Sequence, residues 1–160
     1  MEFISCNPPL VPIPSGLGYS VVGDGGEDGL RFLGVVVRAV ENSKRQRVRA
    51  CTVGLCLGSD TSVGVVQWLR ERLPMDISAH VYLINRYPAS AMNASIAWSS
   101  AWTSGGGLNR ALWRIGQQTQ DSGCTHYYTY MLKLFRERGS GVIEVPLYKE
   151  SSSQALWYGS

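Results

Sequence analysis

Chemistry would be looked for first at two histidines, His80 and His126, and at four cysteines, Cys6, Cys51, Cys56 and Cys124. Each histidine lies in a strand-like run beside tyrosines, where a packed, hydrogen-bonded imidazole is the ordinary occupant. The cysteines make no CxxC and no zinc spacing. Cys51 and Cys56 are five apart, so on one strand they face opposite sides and cannot pair locally. Cys124 and His126, at i and i+2, point along one face of a strand without converging on a substrate as a nucleophile and its base must. Tyr130-Met131-Leu132-Lys133 spells YxxK downstream of His80, a layout that could set a nucleophilic tyrosine near a metal. A second histidine at position 82 would be needed to hold that metal, and position 82 is Tyr. The triplet Gly105-Gly106-Gly107 precedes a helical pattern and could offer backbone N–H groups to a phosphate, but no GK[ST] follows. Gly16-x-Gly18 with Gly23 misplaces the third glycine of a dinucleotide fingerprint. Asp and Glu are scattered, with no pair at general acid/base spacing. The expectation is therefore of a protein that is not an enzyme, with no catalytic residues, no metal and no cofactor.

Binding remains. Lys44, Arg45, Arg47 and Arg49 form the one basic cluster and could touch phosphates. Tyr127, Tyr128, Tyr130 and Phe135 line an aromatic run that could stack bases, although the RNP pattern of basic residue, glycine and paired aromatics is absent. Charged residues make up only 17% of the 160-residue chain, against about 25% in average globular proteins. With five Trp and eight Tyr, this points to surface covered by a partner or by another copy. The net charge of +3 is weakly basic and mostly dispersed. The opening MEFISCNPPL lacks the basic start and apolar core of a signal peptide. The sequon Asn93-Ala94-Ser95 is then expected to stay unmodified and the thiols free. No apolar run reaches membrane-span length, so no membrane partner is expected.

The positioning elements follow from pattern. Residues 1–18 hold Pro8, Pro9, Pro12 and Pro14 and read as an extended arm, packed over the domain's edge or reaching to a neighbour. Residues 19–160 form one β-rich domain on the length prior. Tyr19–Val22 reads as a short strand and Gly23–Gly29 as a turn. Leu30–Val40, rich in β-branched residues, reads as a buried strand that makes a hairpin with Val48–Leu57 through a polar turn. Ser59 or Asp60 caps a helix over 61–73, with Val65, Val66, Leu69 and Leu73 on its buried face and Pro74 ending it. Strands follow at His80–Tyr87 and Ala94–Thr103. A second helix spans Leu108–Thr119, with Leu108, Leu112 and Ile115 inward. Thr125–Arg136 is a long aromatic strand, and Val142–Tyr148 is a strand that leaves its sheet at Pro146.

The tail from Val142 to Gly159, with Val145, Pro146, Tyr148, Ala155, Trp157, Tyr158 and Gly159 at the matching positions, resembles a segment of capsid proteins of picornavirus-like viruses. That resemblance implies a mainly β, antiparallel jelly-roll sandwich with two helices in its connections. It implies a viral structural protein, located in the virion and in the host cytoplasm during assembly. Such a protein self-assembles with other copies or related capsid subunits around RNA. Pro8, Pro9, Pro12, Pro146, Tyr148, Trp157 and Tyr158 would then lie at subunit interfaces, and Lys44, Arg45, Arg47 and Arg49 would meet nucleic acid. Two alternatives stand beside it. One is an α+β, ferredoxin-like nucleic-acid-binding domain built on a split βαβ within Val48–Arg136, using its sheet face and the 44–49 turn. The other is a small metal-dependent nuclease using Tyr130 and His80, a layout similar to that of rolling-circle nucleases.

Overall fold

The computed structural model describes residues 2–20 and 23–149. The strands are β1 (Glu2–Cys6), β2 (Val48–Gly58), β3 (Ile77–Pro88), β4 (His126–Arg136) and β5 (Val142–Pro146). The helices are α1 (Leu33–Asn42), α2 (Gly64–Arg72), α3 (Ala89–Ser104) and α4 (Leu108–Asp121). All five strands form one sheet in the order β1-β2-β4-β3-β5. β4 runs antiparallel to both neighbours, while the outer pairs β1–β2 and β3–β5 are parallel. The jelly-roll expectation is overturned: there is one mixed sheet with helices, not two facing antiparallel sheets. A parallel pair cannot close by a tight turn and needs a crossover. Here α1 carries β1 to β2, and α2 carries β2 to β3 with β4 inserted between those strands. The architecture is α/β, nearer to the split βαβ alternative than to a sandwich.

Two expected strands are helices, and the reason is legible at each. In α1 the buried residues are Leu33, Val36, Val37 and Val40, the i, i+3, i+4, i+7 stripe of a helix. The valines' strand preference yields to that packing. Arg136 seals the far end by donating from Nη2 to the carbonyls of Val40 and Glu41, at 2.8 and 3.1 Å, a cation placed at the negative pole of the helix. In α3 the buried set is Met92, Ile96, Ala97 and Ser100, again one helical stripe. It ends at Gly105, whose φ of 69° is the left-handed conformation that glycine adopts without steric cost. The triplet that could have cradled a phosphate is thus the joint of an αα-hairpin.

The remaining helices stand near their expected places with details changed. α2 buries Val65, Val66 and Leu69 and stops before Pro74, but Val63 is its N-cap. Ser59 Oγ instead accepts the N–H groups of Thr61 and Ser62 and shapes the preceding loop. α4 buries Ala111, Ile115 and Thr119, leaving Leu108 and Leu112 partly exposed.

Two cores result, one on each face of the sheet. The larger packs α1 and α2 against Val48, Ala50 and Cys56 of β2, Ile77, Ala79, Val81 and Leu83 of β3, and Tyr128, Tyr130, Leu132 and Leu134 of β4. Gly54 sits in this face because a Cβ there would lie 2.2 Å from the Tyr130 ring. The smaller core packs α3 and α4 against Leu55, Leu57 and Tyr127 on the opposite face, at one end of the sheet. Ile13 joins it from the proline-rich segment, whose Pro12 and Pro14 are also buried. Backbone bonds from Val11 and Ile13 to the Gly23 and Gly26 carbonyls, both 2.8 Å, tie this segment to the glycine-rich loop. Residues 8–14 therefore form a strap over their own domain, preceded by an edge strand, β1.

Candidate functional site

The smaller core covers only one end of its sheet face. The other end is open, and the strand register states what occupies it. The first row across the strands is Phe3, Arg49, Phe135 and Ser78. Next come Ser5, Cys51, Lys133, His80 and Ile143, then Val53, Met131, Tyr82 and Val145. The alternation of a strand makes these residues one surface, since their sequence neighbours point into the main core. Phe3, Val53, Ile84, Met131 and Ile143 are all exposed on it, Phe3 to 63%.

Aromatic and cationic groups interleave there. The His80 and Phe135 rings meet edge to face at 4.8 Å, and Tyr82 stands 6.3 Å from His80. Lys133 Nζ lies 5.8 Å from the Phe135 centroid, within the range of a cation–π contact. Arg49 is the direct neighbour of Phe135 across the ladder. No carboxylate enters these rows. The sheet's acidic residues, Glu2 and Glu144, register with Val48 and Val81 on the other face. There Glu2 accepts a hydrogen bond from Ser43 at 2.7 Å, and Glu144 pairs with Arg70 at 4.0 Å. Lys44, Arg45 and Arg47 lie exposed in the loop that enters β2, at the same open end. The basic cluster is thus a rim leading onto the sheet, with Arg49 on the surface itself. It lies not in a hairpin turn but in a helix-to-strand connection.

The aromatic strand divides between the faces. Tyr128 and Tyr130 point into the main core and Tyr127 into the smaller one, all buried; only Phe135 reaches the open surface. Burial pushes the Tyr127 and Tyr130 hydroxyls well above the usual phenol range. Tyr127 donates to Asn93 Oδ1 at 2.7 Å, and Asn93 donates to Thr119 Oγ1 at 2.9 Å, a polar seam that stitches β4 to α3 and α4. Tyr130 and His80 stand on opposite faces of the sheet, so the YxxK tyrosine cannot serve a metal at His80. Among the described residues no group of three or more His, Cys, Asp or Glu is placed to hold a metal. Phe3, Tyr82 and Met131 were missed by sequence reasoning. Their signal is strand alternation, which shows only once the register is known.

A second cluster lies at the carboxyl ends of β2 and β3. Arg86, its side chain 15% exposed, donates to Asp60 Oδ1 at 2.7 Å and stacks 5.2 Å from the Tyr148 ring. His126 Nδ1 is 3.9 Å from the same carboxylate and 2.7 Å from Thr125 Oγ1. Tyr128 donates to the Ser59 carbonyl at 2.7 Å and meets Tyr148 at 5.8 Å. These contacts clasp the 59–63 loop and the residues after β5 onto the sheet. Tyr148, expected at a subunit interface, is engaged inside its own chain. Of the other residues expected there, Pro8 and Pro9 are half-buried, Pro12 is buried and Pro146 is exposed at the end of edge strand β5. Trp157 and Tyr158 lie outside the described residues.

No family model and no curated protein matches the sequence.

Proposed function

We propose that this chain is a binding domain for single-stranded nucleic acid, which it lays across the open end of its sheet. The observation that carries the reading is the composition of the uncovered rows. Ring faces for stacking alternate with Arg49 and Lys133 for phosphates, the basic loop 44–47 adjoins, and carboxylates are turned to the far side. Base stacking on a sheet aromatic contributes about 1–3 kcal/mol per base and tolerates any sequence, because every base has a ring face. The roles divide accordingly: Phe135, Tyr82 and His80 stack, Arg49 and Lys133 neutralise phosphates, and Lys44, Arg45 and Arg47 steer the strand inward.

Fluorescence anisotropy with labelled U and dT oligonucleotides tests this. The Tyr82→Ala/Phe135→Ala double variant is expected to bind roughly tenfold or more weakly than the parent, with an unchanged circular dichroism spectrum. Tight binding that survives both truncations, or no binding at low salt, would remove the proposal. The U and dT arms report whether ribose or deoxyribose is preferred.

One observation favours a second reading, the self-assembling structural subunit implied by the capsid resemblance. The outermost strands β1 and β5 each have one partner among the described strands and carry Phe3 and Ile143 outward. Free strand edges are templates for association. Light scattering that shows a large regular assembly in the absence of nucleic acid would favour it.

A further inference from the structure

The αα-hairpin departs from what a solvent-facing hairpin normally presents. α3 runs sixteen residues, ASAMNASIAWSSAWTS, without one charged side chain. A surface helix ordinarily turns charged and strongly polar residues to water opposite its buried stripe. Here that side carries Trp98 and Trp102, 60% and 79% exposed, stacked at 6.1 Å with their planes 22° apart. Around them stand Ala94, Ser95, Ser99 and Thr103, small and often hydroxylated. From Ala89 through Gln120 the chain holds Arg110 and Arg114 and no carboxylate.

We propose that the outer face of α3 seats on the headgroup region of an anionic lipid bilayer, with Trp98 and Trp102 as its anchors. Tryptophan, with an apolar body and one N–H donor, favours the depth where hydrocarbon meets headgroups. Flanking serines and threonines suit that half-wet layer better than the dry, apolar core of a permanent protein interface. The charge balance selects the lipid, since a hairpin with arginines and no acid is attracted to an anionic surface and repelled nowhere along its length. The contact is peripheral; no helix among the described residues is long and apolar enough to cross a membrane. Such anchoring scales with the apolar area buried in the interface.

The test is co-flotation of the full chain with vesicles of phosphatidylcholine alone and of phosphatidylcholine with about 30% phosphatidylserine, the anionic leaflet lipid. The expected result is partition into the phosphatidylserine vesicles, weakened by salt. Trp98→Ala/Trp102→Ala is expected to lose roughly tenfold or more of it, since both anchors are withdrawn. Ala94→Glu, which sets a carboxylate one turn before Trp98, gives a second route to the same loss without touching the rings. Flotation unchanged in both variants, or absent from the parent, overturns the proposal. So does a concentration-dependent dimer that the tryptophan variants dissociate, because the face would then belong to a second copy.

Discussion

The two ends of one sheet face are made by the same strands and reach opposite ends. At one, Leu55, Leu57 and Tyr127 are sealed under α3, α4 and the proline strap. At the other, a few residues back along β2 and onward along β4, Val53, Met131, Lys133 and Phe135 face solvent. The covering helices come from the single long excursion between β3 and β4, and that hairpin shields only the end of the sheet it leaves from. Alternation continues unbroken through both halves, so what separates structure from function is which stretch the hairpin reaches.

The sharpest way to break this comparison is to truncate neighbours in β4. Leu132→Ala removes a fully buried side chain from the main core and is expected to cost about 3 kcal/mol in urea unfolding. Met131→Ala, one residue away on the open surface, is expected to cost under about 1 kcal/mol. Similar losses from both would mean that the open half is covered in solution. Gly54→Ala follows, at about 2 kcal/mol by the same measurement, because its new methyl group meets the Tyr130 ring and neither central strand can retreat. A neutral result would show that Tyr130 does not lie over β2. Asn93→Ala strands the buried Tyr127 hydroxyl and Thr119, and is expected to cost on the order of 1.5 kcal/mol. Hydrogen exchange should then locate the loosening in the hairpin end and spare α1 and α2.

The two thiols of β2 sharpen the contrast further. Cys56 lies in the main core, where burial pushes its thiol up to about 12 from an ordinary 9.0. The folded state therefore holds this proton while the unfolded chain releases it, and stability should fall as pH rises above about 9. The loss attributable to Cys56 is on the order of 1 kcal/mol by pH 10, read as the difference between parent and Cys56→Ala in paired unfolding curves. The buried tyrosines add to the decline in the same direction. Cys51, on the open surface, should be alkylated in the native protein, and Cys56 should be protected until unfolding. Equal labelling rates would contradict the assignment of faces.

Much of this was legible in the sequence, and what escaped has physical causes. The β2, β3 and β4 strands and the α2 and α4 helices show in their periodicity, and Pro146 marked an edge strand. Val35-Val36-Val37 concealed α1, because β-branched residues argue for a strand until the spacing 33, 36, 37, 40 is weighed above propensity. α3 hid behind alanine, serine and tryptophan, which spell neither period clearly. With both read as strands, the pattern leaned toward a sandwich. The capsid resemblance strengthened that lean from residues 142–159, of which 150–159 lie outside the described residues. The basic cluster was visible at once, whereas its partners Phe135, Tyr82 and Lys133 needed the ladder register to bring them beside Arg49.

The central claim is that the open half of this face neutralises phosphates, and salt reads that directly. Binding of a single-stranded oligonucleotide should weaken linearly in log–log form as salt rises. Arg49→Gln and Lys133→Gln should each flatten the slope by about 0.7, the contribution of one phosphate contact on a single strand. A parent protein that binds no strand at low salt, or a slope that neither substitution moves, would contradict the account.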